Sequence, residues 1–133
     1  LLKLAIITGD SIFQNRAVAI LRSSLEMISR YPWGSGHYLC ALDFYLSSPT
    51  EIAIVGDLST TQTQNLVAEV FRNLLPNRVV LGMSPDEKPL TSLPLMNGRM
   101  QLNSNPTAFV CHNYICELPV TDPEALARQL NSS

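Results

Sequence analysis

At Pro49 the hydrophobic pattern of this chain changes period, and few folds accommodate both halves. Ahead of that residue, apolar side chains recur every three or four positions. Behind it, Ile52-Ala53-Ile54-Val55 forms an unbroken apolar run after Glu51, bounded downstream by Gly56-Asp57. A short continuous run between turn residues is the pattern of a strand buried on both faces. Ser59 or Thr60 then offers a helix cap, and Leu66, Val67, Val70, Phe71 and Leu74 recur at helical spacing to about Leu75. Arg78-Val79-Val80-Leu81 follows as a second β-branched run. Strand, helix and strand with short joints make a βαβ unit, so strands at 51–56 and 78–82 are expected to run parallel.

Upstream, residues 1–8 read as the end of a helix closed by Gly9. Leu1 opens directly in an apolar helical run, with no Met and no capping residue before it, so the chain is expected to begin inside a helical region. Asp10 or Ser11 caps a second helix to about Arg30, placing Phe13, Ala17, Ile20, Leu21, Ser24 and Ile28 on one face. Pro32 and Gly34 break the chain. A third helix is expected from Ser35 to Leu46, with Leu39, Leu42, Tyr45 and Leu46 along one side. Short connections favour antiparallel neighbours, which gives a helical hairpin with a stub. Burial of Phe13, Ile20, Leu21 and Ile28 would contribute about 1.5–3 kcal/mol each, so this face is expected to be covered, by self-association or by the sheet.

Residues 83–105 carry Pro85, Pro89 and Pro94 with little periodicity, which predicts an irregular excursion with one short helix near Leu93–Met96. Thr107–Cys111 and Ile115–Leu118 read as two strands around a turn at His112-Asn113-Tyr114. Thr121 as N-cap with Glu124 three residues later forms a capping box for the last helix, with Pro123 in its first turn. The expected fold class is α/β. A short helical hairpin over residues 1–48 precedes a small α/β domain at 49–133, built from a βαβ unit, a β-hairpin and a C-terminal helix.

Hydrophobic residues make up 46% of the chain and charged residues 15%, a balance that predicts a folded chain. The net charge is -2 and no Lys/Arg cluster appears, which argues against a nucleic-acid partner. No apolar run approaches a membrane span, and no signal-peptide pattern is present. Three cysteines without a regular framework fit a reducing compartment, so a cytoplasmic location is expected.

The stretch from Ala108 through Cys111-His112-Asn113-Tyr114-Ile115-Cys116-Glu117-Leu118-Pro119 to Pro123 resembles the C-terminal signature of the thioredoxin-domain-containing family typified by spermatogenesis-associated protein. Ala41-Leu42-Asp43-Phe44-Tyr45-Leu46, then Pro49 and Glu51 to Gly56, is similar to the segment that precedes it there. The resemblance implies a long parent with an N-terminal thioredoxin-like domain, an (α/α) toroid like those of sugar epimerases and six-hairpin glycosidases, and an α/β tail. Residues 1–48 would then be the last toroid helices. The partners so implied are the upstream toroid and thioredoxin-like domain of the same chain.

Three features are candidates for chemistry. Cys111 and Cys116 are separated by four residues, unlike the two-residue spacing of thioredoxin-type motifs. A turn of two or four residues would set them opposite each other, whereas a turn of three would send them to different faces. Two buried, unreactive thiols without exchange activity are the preferred reading, because free cysteine is often buried and the adjacent cation, His112, should leave the other face of the strand. Cys40, among Leu39, Ala41 and Leu42, is expected to be buried in its helix. A zinc site from Cys111, His112, Cys116 and either Cys40 or His37 lacks the usual close ligand pairs, so no metal or other cofactor is expected. The turn Gly56-Asp57-Leu58-Ser59-Thr60 ends the first strand, where helix N–H groups meet anions, but it lacks a P-loop and Asp57 would repel phosphate. Asp43 and Glu51 read as solvated or capping charges; the resemblance would put His37 and Tyr38 at the end of a toroid pocket in the parent, but without the rest of that pocket they are not a site.

These readings make the chain a non-catalytic C-terminal structural or interaction module of a larger protein. The alternatives are a thiol-redox module using Cys111 and Cys116, or part of a carbohydrate-processing enzyme whose pocket lies upstream.

Overall fold

The change of period at Pro49 is a change from helices to sheet in the computed structural model, which describes residues 1–87 and 93–131. Helix α1 (Leu2–Thr8) stops at Gly9, whose φ of 67° is left-handed and whose N–H bonds to the Ala5 carbonyl. The Asp10 carboxylate accepts the Ile12 N–H at 2.8 Å and starts α2 (Ser11–Arg30). A 3₁₀ turn at Pro32–Gly34 leads into α3 (Gly36–Leu46).

The sheet begins with β1 (Thr50–Val55), buried along its whole length. Thr60 caps α4 (Thr61–Arg72) by accepting the Thr63 N–H. Strand β2 (Arg78–Met83) then lies parallel to β1, with Ile52 opposite Val80, as a βαβ unit requires. A second 3₁₀ turn at Pro94–Met96 precedes β3 (Thr107–His112), which runs antiparallel to β1. Strand β4 (Ile115–Cys116) and α5 (Pro123–Asn131) follow. The strand order is β2-β1-β3-β4, a mixed sheet. Pro89, within the expected irregular excursion, lies outside the described residues.

Two cores sandwich the sheet because alternate β1 side chains go to opposite faces. Ile52 and Ile54 meet Leu66 and Val70 of α4, Leu126 and Leu130 of α5, and Ala108 and Val110 of β3. Ala53 and Val55 meet Phe44, Leu95, Met96 and Cys111, with Leu2, Ile6 and Ile7 of α1 packed around them.

Several local expectations are corrected. Helix α4 ends at Arg72, where the Asn73 amide bonds the Glu69 carbonyl at 2.8 Å, so Leu74 is 94% exposed. The buried residue of α3 is Phe44, while Leu39, Tyr45 and Leu46 are exposed. Apolar residues surround that helix, so their spacing does not select a face. Ile20 stays exposed on α2, where Ala17, Leu21 and Ile28 are buried. Strand β4 spans two residues and stops short of Leu118. Asp122, one residue beyond the expected Thr121, caps α5: its carboxylate accepts the Ala125 N–H at 2.9 Å. Pro123 is the first helical residue, which places Asp122 at the N-cap and dissolves the Thr121–Glu124 capping box.

Candidate functional site

The β3–β4 hairpin turns through two residues, not three. Asn113 and Tyr114 both have positive φ, 51° and 63°, the backbone of a tight hairpin turn matched to strand twist. His112 therefore belongs to β3 and pairs with Ile115, and Cys111 stands directly opposite Cys116. Their sulfurs are bonded. Cys111 is fully buried, whereas Cys116 lies on the exposed two-residue edge strand, so the reading of two buried free thiols is corrected. The free Cys40 is exposed, not buried, because α3 turns Phe44 rather than Cys40 to the core.

Glu51 of β1 is the cross-strand partner of Cys111, which sets Glu51, Cys111 and Cys116 in one row across three strands. Over that row sits Arg99. Its Nη1 donates to Cys111 Sγ at 3.2 Å and its Nη2 to Cys116 Sγ at 3.1 Å. The guanidinium also lies 5.0 Å from the Phe109 ring centroid, within cation–π range. Burial lowers the Arg99 pKa and the Glu51 charge opposes that shift, but a guanidinium stays protonated throughout the physiological range.

Glu51 is 3% exposed, which corrects its reading as a solvated charge. It accepts the Tyr114 N–H at 3.1 Å, so the carboxylate holds the hairpin turn. Burial pushes its carboxyl above the ordinary value; the Tyr114 N–H, Arg99 and His112 pull in the other direction. The Tyr114 hydroxyl donates to the Ile6 carbonyl at 3.0 Å and ties the turn to α1. Its phenol is pushed upward by burial and by the Glu51 charge. Asp43 does not join this cluster; it accepts from the Asn77 amide at 2.7 Å.

Arg99 is the member that sequence reasoning missed. It sits twelve residues before Cys111 in a segment without periodicity, and no local spacing links it to the pair. Asn113, a residue tolerant of positive φ, was the signal for a two-residue turn.

The turn at the end of β1 supplies its own acceptor. Asp57 Oδ1 takes both the Ser59 N–H at 2.8 Å and the Ser59 hydroxyl at 2.7 Å, and these bonds hold its carboxyl below the ordinary range. The Thr60 hydroxyl is engaged by Thr63 and by the Asp57 carbonyl. At Gly56 an added Cβ would stand 2.6 Å from Thr63 Oγ1, so glycine lets α4 approach the strand. The four residues are together, but their polar groups serve helix capping. Among the described residues no group of three or more His, Cys, Asp and Glu is placed to hold a metal ion.

His37 and Tyr38 line a different feature, an open groove of about 630 Å³ between α1, α2 and α3. Leu1, Ile20, Leu21 and Phe44 contribute much of its apolar wall.

The chain is similar to part of a larger protein. It is 30% identical to spermatogenesis-associated protein 20 of Homo sapiens over 133 residues, which cover 98% of this chain and 17% of that protein. The proteins of the same name from Rattus norvegicus and Mus musculus are each 26% identical, with the same coverage. No family profile matches the chain, and no solved structure does. No helix among the described residues is long and apolar enough to cross a membrane.

Proposed function

We propose that this chain is a non-catalytic structural or interaction module of a larger protein, and that its helical layer docks against further helices of the same polypeptide. The observation that carries this reading is the open apolar groove of α1–α3. Leu1 and Ile20 are each 47% exposed along it, and Tyr38 is 37% exposed. Trp33, the sole tryptophan, is fully exposed in the turn between α2 and α3, and Leu46 is 73% exposed at the end of α3. Exposed apolar surface gathered on one layer is the mark of an interaction site. The match to 17% of each relative supports membership in a longer chain.

On this reading residues 1–48 close an (α/α) toroid, residues 49–133 form its α/β tail, and a thioredoxin-like domain lies upstream in a cytoplasmic protein. The toroid, tail and thioredoxin-like assignments rest on the resemblance of residues 108–123 and 41–56, and the cytoplasmic one on three cysteines without a regular framework. The experiment is reconstitution from two chains: this one, and the remainder of the parent expressed separately. The two should co-purify, and the double substitution Ile20→Asp, Tyr38→Asp should abolish the complex while leaving the far-UV circular dichroism of the isolated chain unchanged. Failure of the unsubstituted chains to associate, or association indifferent to the substitutions, contradicts the proposal.

A further inference from the structure

We infer that Cys111, Cys116 and Arg99 form a thiol–disulfide exchange site that accepts electrons from an external dithiol, with Cys116 as the sulfur attacked and Arg99 as the cation that holds each departing thiolate. This goes beyond the docking role and does not depend on it, since the hairpin and the α1–α3 groove are different places.

Three observations carry the assignment. First, the bonded sulfurs are unequal in access: Cys111 is fully buried and Cys116 lies on an exposed edge strand of two residues. An external thiolate therefore reaches Cys116 Sγ and not Cys111 Sγ. Second, one guanidinium spans both sulfurs, at 3.2 Å and 3.1 Å, so whichever sulfur becomes anionic already has a cationic donor in contact. A neighbouring cation is what lowers a thiol pKa and makes a better leaving group. Third, Arg99 Nε is buried with no hydrogen-bond partner, so the side chain keeps its position over the sulfurs at the expense of a donor left unsatisfied.

The exchange balances as follows. A thiolate of the dithiol attacks Cys116 Sγ, the Cys111–Cys116 bond breaks, and its electron pair leaves on Cys111 Sγ beside Arg99 Nη1. The reductant's second thiol gives its proton to solvent and attacks its own partner sulfur in the mixed disulfide. Cys116 is expelled as a thiolate beside Nη2, and the reductant departs as an intramolecular disulfide. The two protons lost by the reductant balance those that the protein sulfurs take up when both become thiols. The exchange is stoichiometric and not catalytic, one protein disulfide for one dithiol. Arg99 lies over the pair, Glu51 of β1 stands in the same row, Tyr114 of the turn engages Glu51 through its N–H, and His112 of β3, one position along from Cys111, acts on Glu51 through its charge. Glu51 is the one among them whose negative charge opposes a thiolate.

Cys40 supplies an internal control, since it is exposed and free. The experiment reduces the folded chain with dithiothreitol at neutral pH, removes the reductant, and follows iodoacetamide labelling of each cysteine by peptide mass spectrometry. The bond should open without denaturant. Cys116 should then label at least about threefold faster than Cys40, the gain in thiolate fraction being partly offset by the lower nucleophilicity of a more acidic thiol. Arg99→Gln should bring Cys116 down to the rate of Cys40, and Arg99→Lys should keep most of the difference. Resistance of the folded disulfide to dithiothreitol would overturn the proposal and leave a structural staple. So would labelling of Cys116 no faster than Cys40 in the unsubstituted protein, a comparison that stands even if the Arg99 variants fail to fold.

Discussion

The two helical layers that cover the sheet are finished to different degrees. On one face, α4 and α5 bury Leu66, Val70, Leu126 and Leu130 to 2% exposure or less against Ile52 and Ile54. On the other, Phe44 of α3 and the buried Leu95 and Met96 of the second 3₁₀ turn meet the sheet with partly buried residues of α1, while Leu4, Ile20, Leu25, Trp33, Leu39 and Leu46 of the helical layer remain in water. The first layer consists of amphipathic helices with one apolar stripe each, and one contact satisfies such a helix. In the second layer, α3 is apolar nearly all round, and a helix of that kind needs neighbours on more than one side. The α4–α5 layer closes its core within this chain; the helical layer leaves apolar side chains in water, the surface that the proposed docking would cover.

Paired truncations break this comparison most sharply. Leu126→Ala removes a fully buried side chain from the completed core and should cost about 2–5 kcal/mol in chemical denaturation. Ile20→Ala on the open layer should change the stability of the isolated chain by less than about 0.5 kcal/mol. Comparable losses for both would show that the helical layer is as closed as the other.

A smaller effect sharpens the account of the completed layer. Asp122→Ala removes the carboxylate that accepts the Ala125 N–H and should destabilise the chain by about 1 kcal/mol. Thr121→Ala should be close to neutral. Reversed magnitudes in the same denaturation assay would restore Thr121 as the cap.

Glu51 lies in β1 opposite Cys111, and the smallest effect belongs to it. Burial raises its carboxyl above the ordinary value of 4.5, so over that interval the folded chain binds more protons than the unfolded one. Stability should therefore fall as pH rises from about 4.5 through the folded pKa. Glu51→Gln keeps an acceptor for the Tyr114 N–H and removes the titration. Its melting temperature relative to the parent should rise between pH 4 and pH 7. A difference independent of pH, or one of opposite sign, would mean that Glu51 is ionised without penalty.

Much of the fold was legible because its signals are local. Gly9, Asp10 and Thr60 mark helix ends through backbone chemistry, and the run Ile52–Val55 marks a doubly buried strand. The α/β class and the parallel pairing of β1 and β2 follow from those elements. What escaped depends on tertiary contact. Phe44, rather than Leu39 or Leu46, is the inward residue of α3 because the sheet lies on that side, which periodicity in a helix apolar nearly all round does not reveal. The Cys111–Cys116 pair was visible as two residues whose relation hung on one turn residue, His112. Arg99 was invisible because a side chain from an irregular segment reaches the hairpin only after the sheet has formed.

Hydrogen–deuterium exchange, read for each element in the isolated chain and in the full-length parent, tests the contrast between the layers directly. In the isolated chain the amides of α2 and α3 should exchange through local opening well below the global stability, while those of β1 and β3 exchange near it. In the parent, α2 and α3 should gain protection and the sheet should stay as it was. Equal protection of the helical layer in both contexts would contradict the claim that its apolar groove is a docking surface.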